Sequence, residues 1–350
     1  MSVGTLTFTL ERPREPRGIS AGRFGVSVWY PGRPSTRRAP YGSGGPGIKR
    51  RIYRSLVTAH AARDVAFAVR HERAPVVVYV AGWGGERTDN TALGEELASH
   101  GFVVAAIGDL RFDGPPNSRL AGPLDLSSPQ AYEATLRLAH EKMAFDVLRV
   151  SAVLDRLALL DAADPAGRFT HRLDLARAGI VGYSFGGAVA LEACRHDRRL
   201  RAAMNMDGWL FDAATGYRGG VPYFLVTDRA PLPGPDDLNA ADSAHRYASA
   251  LTIADEARQR EVLQLGGYEL RVDGADHLSF ADVPLYALRH RYGSRHAGAS
   301  LISRAVRDHA VAFFEAALTG KPSPLLVPGR RKHPPMTLAS WPANGARNGA

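Results

Sequence analysis

Apolar positions divide this chain into short buried runs and longer amphipathic stretches. Residues 24–30 (FGVSVWY) alternate and stop at Pro31-Gly32, which predicts a strand. Residues 76–80 (VVVYV) and 102–107 (FVVAAI) are continuous apolar runs, the pattern of strands covered on both faces. Shorter runs at 178–181, 202–206, 222–228 and 268–272 read the same way. Helical patterns lie between them. One spans about 90–100 and is closed by Gly101; another spans 131–160, with Ala144, Val147, Leu148, Ser151, Leu154 and Leu157 on one face. Others run from the segment after Ser184 to about Cys194, over 240–262, and over 300–318 before Gly320. Residues 31–48 and 113–130 are rich in Pro, Gly and Ser and read as loops.

Buried strands that alternate with helices predict an α/β fold, a mostly parallel sheet with helices on both faces. Nothing splits the sheet, so one domain is expected. An N-terminal strand-and-loop section, 1–74, packs on a main domain, 75–320, and the tail, 321–350, has no periodicity and is expected to be disordered. Ligand sites in such sheets form beyond the carboxyl ends of strands, so residues just after strands carry the interest.

Composition narrows the classes. The chain has 350 residues, 45% hydrophobic and 23% charged, an ordinary globular balance. No run approaches the ~18 apolar residues of a transmembrane helix. The net charge of +9 is scattered except at Arg37, Arg38, Lys49, Arg50, Arg51 and Arg54. That cluster reads as a solvated loop, with contact to an anionic membrane surface as the alternative; no nucleic-acid partner is expected. The lone cysteine, Cys194, permits no intrachain disulfide. The start, MSVGTLTFTLERPREP, is not a signal-peptide pattern, and Ser2 excludes N-myristoylation, so a cytoplasmic location is expected. There is no H-E-x-x-H and no cysteine pair, and no metal or cofactor is expected.

The chemistry centres on Gly182-Tyr183-Ser184-Phe185-Gly186, a G-x-S-x-G set between a predicted strand and a predicted helix. A serine hydroxyl is a weak nucleophile and must stand clear of the sheet to meet a carbonyl. A tight strand-to-helix turn achieves this, and the flanking Gly182 and Gly186 remove side chains where backbone passes close. The helix that follows points N–H groups at developing negative charge. Such a serine needs a base, oriented by an acid, in the chain order Ser, acid, His. The histidines after Ser184 are His196, His245, His277, His290, His296, His309 and His333. Only His277, in VDGADHLSF, falls in a loop just after a strand. Two carboxylates close predicted strands, Asp207 and Asp228, and position alone does not choose between them. Oxyanion donors are expected at the N–H of Phe185 and in the loop Ala81-Gly82-Trp83-Gly84-Gly85, with Trp83 nominated.

Several segments, in order, resemble the plasma-type and type II intracellular platelet-activating factor acetylhydrolases and their bacterial relatives, serine esterases of the α/β-hydrolase fold. GYSFGGA is similar to that family's nucleophile turn, MNMDGWLF to its acid segment, DHLSFAD to its histidine segment, and VVVYVAGWGG with LASHGFVVAAI to its oxyanion loop and next strand. The resemblance implies an acetylhydrolase-like carboxylic ester hydrolase with Ser184 as nucleophile, Asp207 rather than Asp228 as acid, His277 as base, and Trp83 and Phe185 as oxyanion donors. It implies a short-acyl ester or short-acyl lipid substrate and lipid degradation as the setting. Ala81 stands where the family usually has histidine. The alternatives are a polyester or dienelactone-type hydrolase using Asp228, and a binding protein that kept the fold without the chemistry.

Overall fold

The computed structural model describes residues 1–11, 22–41, 59–68, 72–113, 118–213, 215–228, 230–283, 285, 297–329 and 336–342. Of the basic stretch, Lys49, Arg50, Arg51 and Arg54 lie outside these residues, as do His290, His296 and His333.

The continuous apolar runs become the centre of a sheet. The strands are β1 (Val3–Glu11), β2 (Arg23–Pro31), β3 (Ala62–Arg63), β4 (Ala74–Val80), β5 (Val103–Ile107), β6 (Leu173–Tyr183), β7 (Leu200–Met206), β8 (Tyr223–Asp228), β9 (Gly267–Val272) and β10 (Met336–Trp341). They form one 10-stranded sheet in the order β10-β9-β8-β7-β6-β4-β5-β2-β1-β3. From β5 to β9 every neighbouring pair is parallel. The β2–β5 and β1–β2 pairs, and β10 on β9, are antiparallel. This is the α/β-hydrolase fold anticipated from the sequence.

Period-two alternation explains why VVVYV has no polar face. Val76, Val78 and Val80 enter one core cluster, while Val77 and Tyr79 enter the other. The first cluster lies under α3 (Pro129–Ala162), α4 (Phe185–His196) and α6 (Ser243–Leu263). The second lies under α1 (Thr91–Ser99) and α7 (Ala297–Thr319). Two short helices, α2 (Leu110–Asp113) and α5 (Pro235–Leu238), lie in connections. Each buried Val or Leu contributes about 1.5–3 kcal/mol relative to exposure, so these two layers dominate stability.

Local chemistry corrects several expected boundaries. Helix α3 begins earlier than the apolar spacing indicated, because Ser128 caps it: its Oγ accepts from Ala131 N–H at 3.1 Å, with Pro129 in the first turn. Its buried face also differs. Leu148 is exposed, whereas Lys142, Asp146 and Arg149 are buried among Ala139, Met143, Val150 and Val153. Strand β1 was not anticipated, although Leu6, Phe8 and Leu10 alternate and pack on the first cluster. The expectation that 321–350 is wholly disordered is corrected at β10, which pairs with β9 from Met336↔Val272 to Trp341↔Gly267. Met336 and Leu338 pack on the second cluster, which anchors the strand. No helix among the described residues is long and apolar enough to cross a membrane.

Ending the chain after Gly329 removes β10 and uncovers the edge of β9. The shortened chain is expected to melt several degrees lower, since ~1 kcal/mol shifts Tm by roughly 2–4 °C in a chain of ~150–250 residues. An unchanged melting curve contradicts the packing role of β10.

Candidate active site

The turn from β6 into α4 places Ser184. Its backbone is left-handed, φ 54 and ψ −126, a conformation that costs a β-carbon-bearing residue about 1–3 kcal/mol. Ser184 N–H donates to Met206 O at 2.9 Å, and Ser184 O accepts from Gly187 N–H at 2.8 Å. An N-cap serine ordinarily turns its hydroxyl onto the first helical turn, but this one makes no such bond. Its Oγ lies 3.1 Å from His277 Nε2 instead.

The glycines are needed because backbone crowds this turn. A Cβ on Gly182 would sit 1.8 Å from Gly186 O, and one on Gly186 would sit 2.2 Å from Val80 O. Gly208, after the acidic residue, has the same constraint: its Cβ would lie 1.9 Å from Ser184 O.

His277 opens a 3-10 turn, His277–Phe280, capped by Asp276. Its Nδ1 lies 2.6 Å from Asp207 Oδ2. Asp207, being the acceptor, fixes the tautomer: Nδ1–H donates to the carboxylate, leaving Nε2 to accept from Ser184 Oγ–H. Tyr183 supports the ring twice. Its hydroxyl donates to His277 O at 3.0 Å, and its ring stacks on the imidazole with centroids 5.0 Å apart.

Asp207 follows β7 and is itself left-handed, φ 56. Thr227 Oγ1 donates to its second oxygen at 3.0 Å. Its turn is held by a buried polar network. Asn205 Oδ1 accepts from Gly208 N–H at 2.9 Å, while Asn205 Nδ2 and Gln259 Nε2 both donate to Gly208 O, at 2.9 and 3.1 Å. Gln259 also donates to Asp255, which accepts from Leu210 N–H. Burial raises the Asp255 carboxyl from 3.8 to about 7.

Of the two carboxylates left open by position, Asp207 touches His277. Asp228 accepts from Ala230 N–H at 3.0 Å and lines the same cavity. Its carboxyl is raised by burial and by the charge of Asp207. Other histidines are engaged elsewhere: His196 with Glu192, His245 with Asp237 and His309 with Ala305 O.

Trp83 and Phe185 border Ser184 at the head of a cavity of about 610 Å³. Among the described residues neither backbone N–H has a protein acceptor. Their rings pack edge to face at 5.1 Å. Phe211, Trp209, Leu124 and Leu232 continue the apolar wall, and Asp255, Glu256 and Arg271 form the polar end. Arg271 is paired with Glu269 at 2.8 Å and Glu256 at 3.2 Å.

Several supporting residues carried no sequence signal: Tyr183 OH, Thr227, Asn205, Gln259 and Asp255 act through contacts that only the fold creates. Asp282 is a further case. Helix α1 has Asn90 at its N-cap, but the Asn90 side chain donates to Tyr79 OH at 2.9 Å rather than capping the helix, and Asp282 Oδ2 accepts from Ala92 N–H at 3.1 Å in its place. Tyr41 OH donates to the same oxygen at 2.6 Å. The histidine loop is thereby fastened to α1.

Burial raises the Asp282 carboxyl from 3.8 to about 7, against the Tyr41 and Ala92 bonds and the charge of Arg307, with Asp89 adding to the rise. The folded state therefore holds this proton to higher pH than the unfolded chain does. The stability it lends is complete below about pH 4 and is lost as pH rises to about 7. Asp282→Asn stays neutral throughout. Its melting temperature minus that of the parent is expected to grow between about pH 4 and 7 and then level off; parallel curves contradict this.

The family model "Platelet-activating factor acetylhydrolase, isoform II" matches residues 48–110 and 150–226. Platelet-activating factor acetylhydrolase of Bos taurus is 27% identical over 187 residues, 46% of this chain and 42% of that protein. The Cavia porcellus protein of that name is 26% identical over 173 residues, 43% of this chain and 38% of its own length. The matches thus span less than half the length of these relatives. Among solved structures, a ferulic acid esterase from Streptomyces cinnamoneus superposes with a TM-score of 0.70 at 27% identity, covering 96% of both chains. In sequence this chain is similar to the platelet-activating factor acetylhydrolases, and its α/β-hydrolase fold is similar to that of an esterase.

Proposed function

We propose that this chain is a carboxylic ester hydrolase that works through an acyl-enzyme on Ser184, with His277 as base and acid, Asp207 as orienting carboxylate, and the Phe185 and Trp83 N–H groups as oxyanion donors. The observation that carries the reading is the unbroken run of contacts, Ser184 Oγ to His277 Nε2 at 3.1 Å and His277 Nδ1 to Asp207 at 2.6 Å, beside two N–H groups that have no protein acceptor among the described residues.

The steps follow from those contacts. Ser184 Oγ attacks the ester carbonyl carbon while its proton passes to His277 Nε2. The carbonyl π pair moves to oxygen, facing the Phe185 and Trp83 N–H groups. Asp207 stabilises the imidazolium without taking its proton. Collapse expels the alcohol, which receives the proton from Nε2. A water molecule then gives a proton to Nε2 and attacks the acyl carbon. The second collapse returns the proton to Ser184 Oγ and frees the acid.

Kinship with the acetylhydrolases supports a short acyl group, including short-acyl phospholipids. A second reading, an aromatic acyl ester, is favoured by one observation: Trp83, Phe185, Trp209 and Phe211 make an aromatic wall in a cavity far larger than an acetyl group requires. The neighbouring ferulic acid esterase agrees with that reading.

Ser184→Ala is expected to abolish hydrolysis of p-nitrophenyl acetate while the circular dichroism spectrum stays that of the parent. Undiminished turnover ends the assignment of Ser184, whereas a parent protein that hydrolyses none of the esters and whose Ser184 resists a fluorophosphonate leaves a binding protein as the better account. Asp207→Asn is expected to lower kcat by about 10³–10⁴, by analogy with the triad acid in general. Asp228→Asn is expected to cost less than tenfold; the reverse order supports the Asp228 alternative. Rates on acetyl, butyryl, feruloyl and short-acyl phospholipid esters rank the two substrate readings.

A further inference from the structure

Beneath the Trp83 loop lies a buried ion pair that the scheme above does not use. Lys142, on α3, is 1% exposed, and its Nζ lies 2.7 Å from Asp109 Oδ2. Asp109 follows β5 and grips the loop in both directions. Its carboxylate accepts from Gly84 N–H at 2.8 Å, and its own N–H donates to Gly85 O at 2.8 Å. Its second oxygen accepts from Arg111 N–H at 2.7 Å.

The ammonium touches the opposite side of the site as well. Lys142 Nζ sits 5.8 Å from the ring centroid of Trp83 and 5.8 Å from that of Phe185, within cation–π range of both. It also reaches Leu120 O at 3.4 Å, near Gly122, whose carbonyl accepts the Trp83 indole N–H at 2.9 Å. A single buried charge thus contacts the two side chains whose backbone N–H groups face the reacting carbonyl.

We infer that the Lys142–Asp109 pair positions the oxyanion hole, holding the Trp83 and Phe185 N–H groups at the separation that a tetrahedral intermediate needs. This inference rests on the hydrolase reading. A buried pair is weak support for stability, because replacing it with apolar groups is often neutral. A positioning role therefore predicts losses in turnover that stability does not track.

The test is the double variant Asp109→Asn/Lys142→Met, which removes the pair without leaving one buried charge alone and keeps an acceptor for Gly84 N–H. Kinetics on p-nitrophenyl acetate and affinity for an alkyl trifluoromethyl ketone are measured well below the melting temperature. The ketone mimics the intermediate: Ser184 Oγ adds to its carbonyl carbon and the resulting oxyanion occupies the hole. The expected result is kcat lowered by about tenfold or more, below the ~10²–10³ for loss of a whole donor. KM should stay within about threefold, and ketone affinity should fall by the factor lost from kcat/KM. Turnover and ketone affinity within about twofold of the parent, whatever the melting temperature does, overturn the inference. If the double variant does not fold, Asp109→Glu keeps the charges but displaces the carboxylate from Gly84, and the same paired losses or their absence decide. Ser184→Ala, assayed alongside, separates the two ideas. Turnover that survives in it removes the Ser184 acyl-enzyme reading and the pair's role together; Ser184-dependent turnover with an unaffected double variant removes only the pair.

Discussion

The left-handed backbone at Ser184 is the constraint on which the rest of the site depends. A φ of 54 lifts the side chain out of the helix it begins, so the hydroxyl cannot cap that helix and meets His277 instead. Among the described residues, the same turn leaves Phe185 N–H, in the first helical turn, without a protein acceptor. The proposed nucleophile and one proposed oxyanion donor therefore come from one local conformation. Its strain is held by the Met206 carbonyl on one side and Gly187 on the other, and it requires Gly182, Gly186 and Gly208 to lack side chains. Strain of this kind persists only where the surroundings over-determine it.

The sheet supplies that over-determination. Parallel strands β6, β7 and β8 end side by side, so Ser184, Asp207 and Thr227 arrive at one edge with little freedom. The histidine arrives from a loop and needs more help. Tyr183 stacks on its ring and bonds its carbonyl, and Asp282 ties its loop to α1 and Tyr41. The acid turn is likewise held from behind by Asn205, Gln259 and Asp255. The histidine loop and the Asp207 turn thus each have a second layer of buried polar contacts, and such networks rigidify only when every member is satisfied.

Much of this was legible in the sequence because local and global signals agreed. Apolar runs marked the central strands, and the glycines around Ser184 marked the turn. Position after a strand singled out His277. Asp207 and Asp228 could not be separated that way, because both end strands; the choice depends on which side chain faces the imidazole, a property of the assembled sheet. Thr227, Asn205, Gln259, Lys142 and Asp109 were silent for the same reason. Lys142, Asp146 and Arg149 are charged residues at helical spacing on α3, and only the packing shows that they face inward. Strands β1 and β10 were missed because they lie toward the sheet margins, where half-exposed positions weaken the apolar pattern.

The most direct measurement of the central claim is a crystal structure of the protein treated with a small alkyl fluorophosphonate. The account predicts phosphorus bonded to Ser184 Oγ, with the phosphoryl oxygen within hydrogen-bond distance of the Phe185 and Trp83 N–H groups. A phosphoryl group on another residue, or an oxygen on Ser184 turned away from both N–H groups, contradicts it.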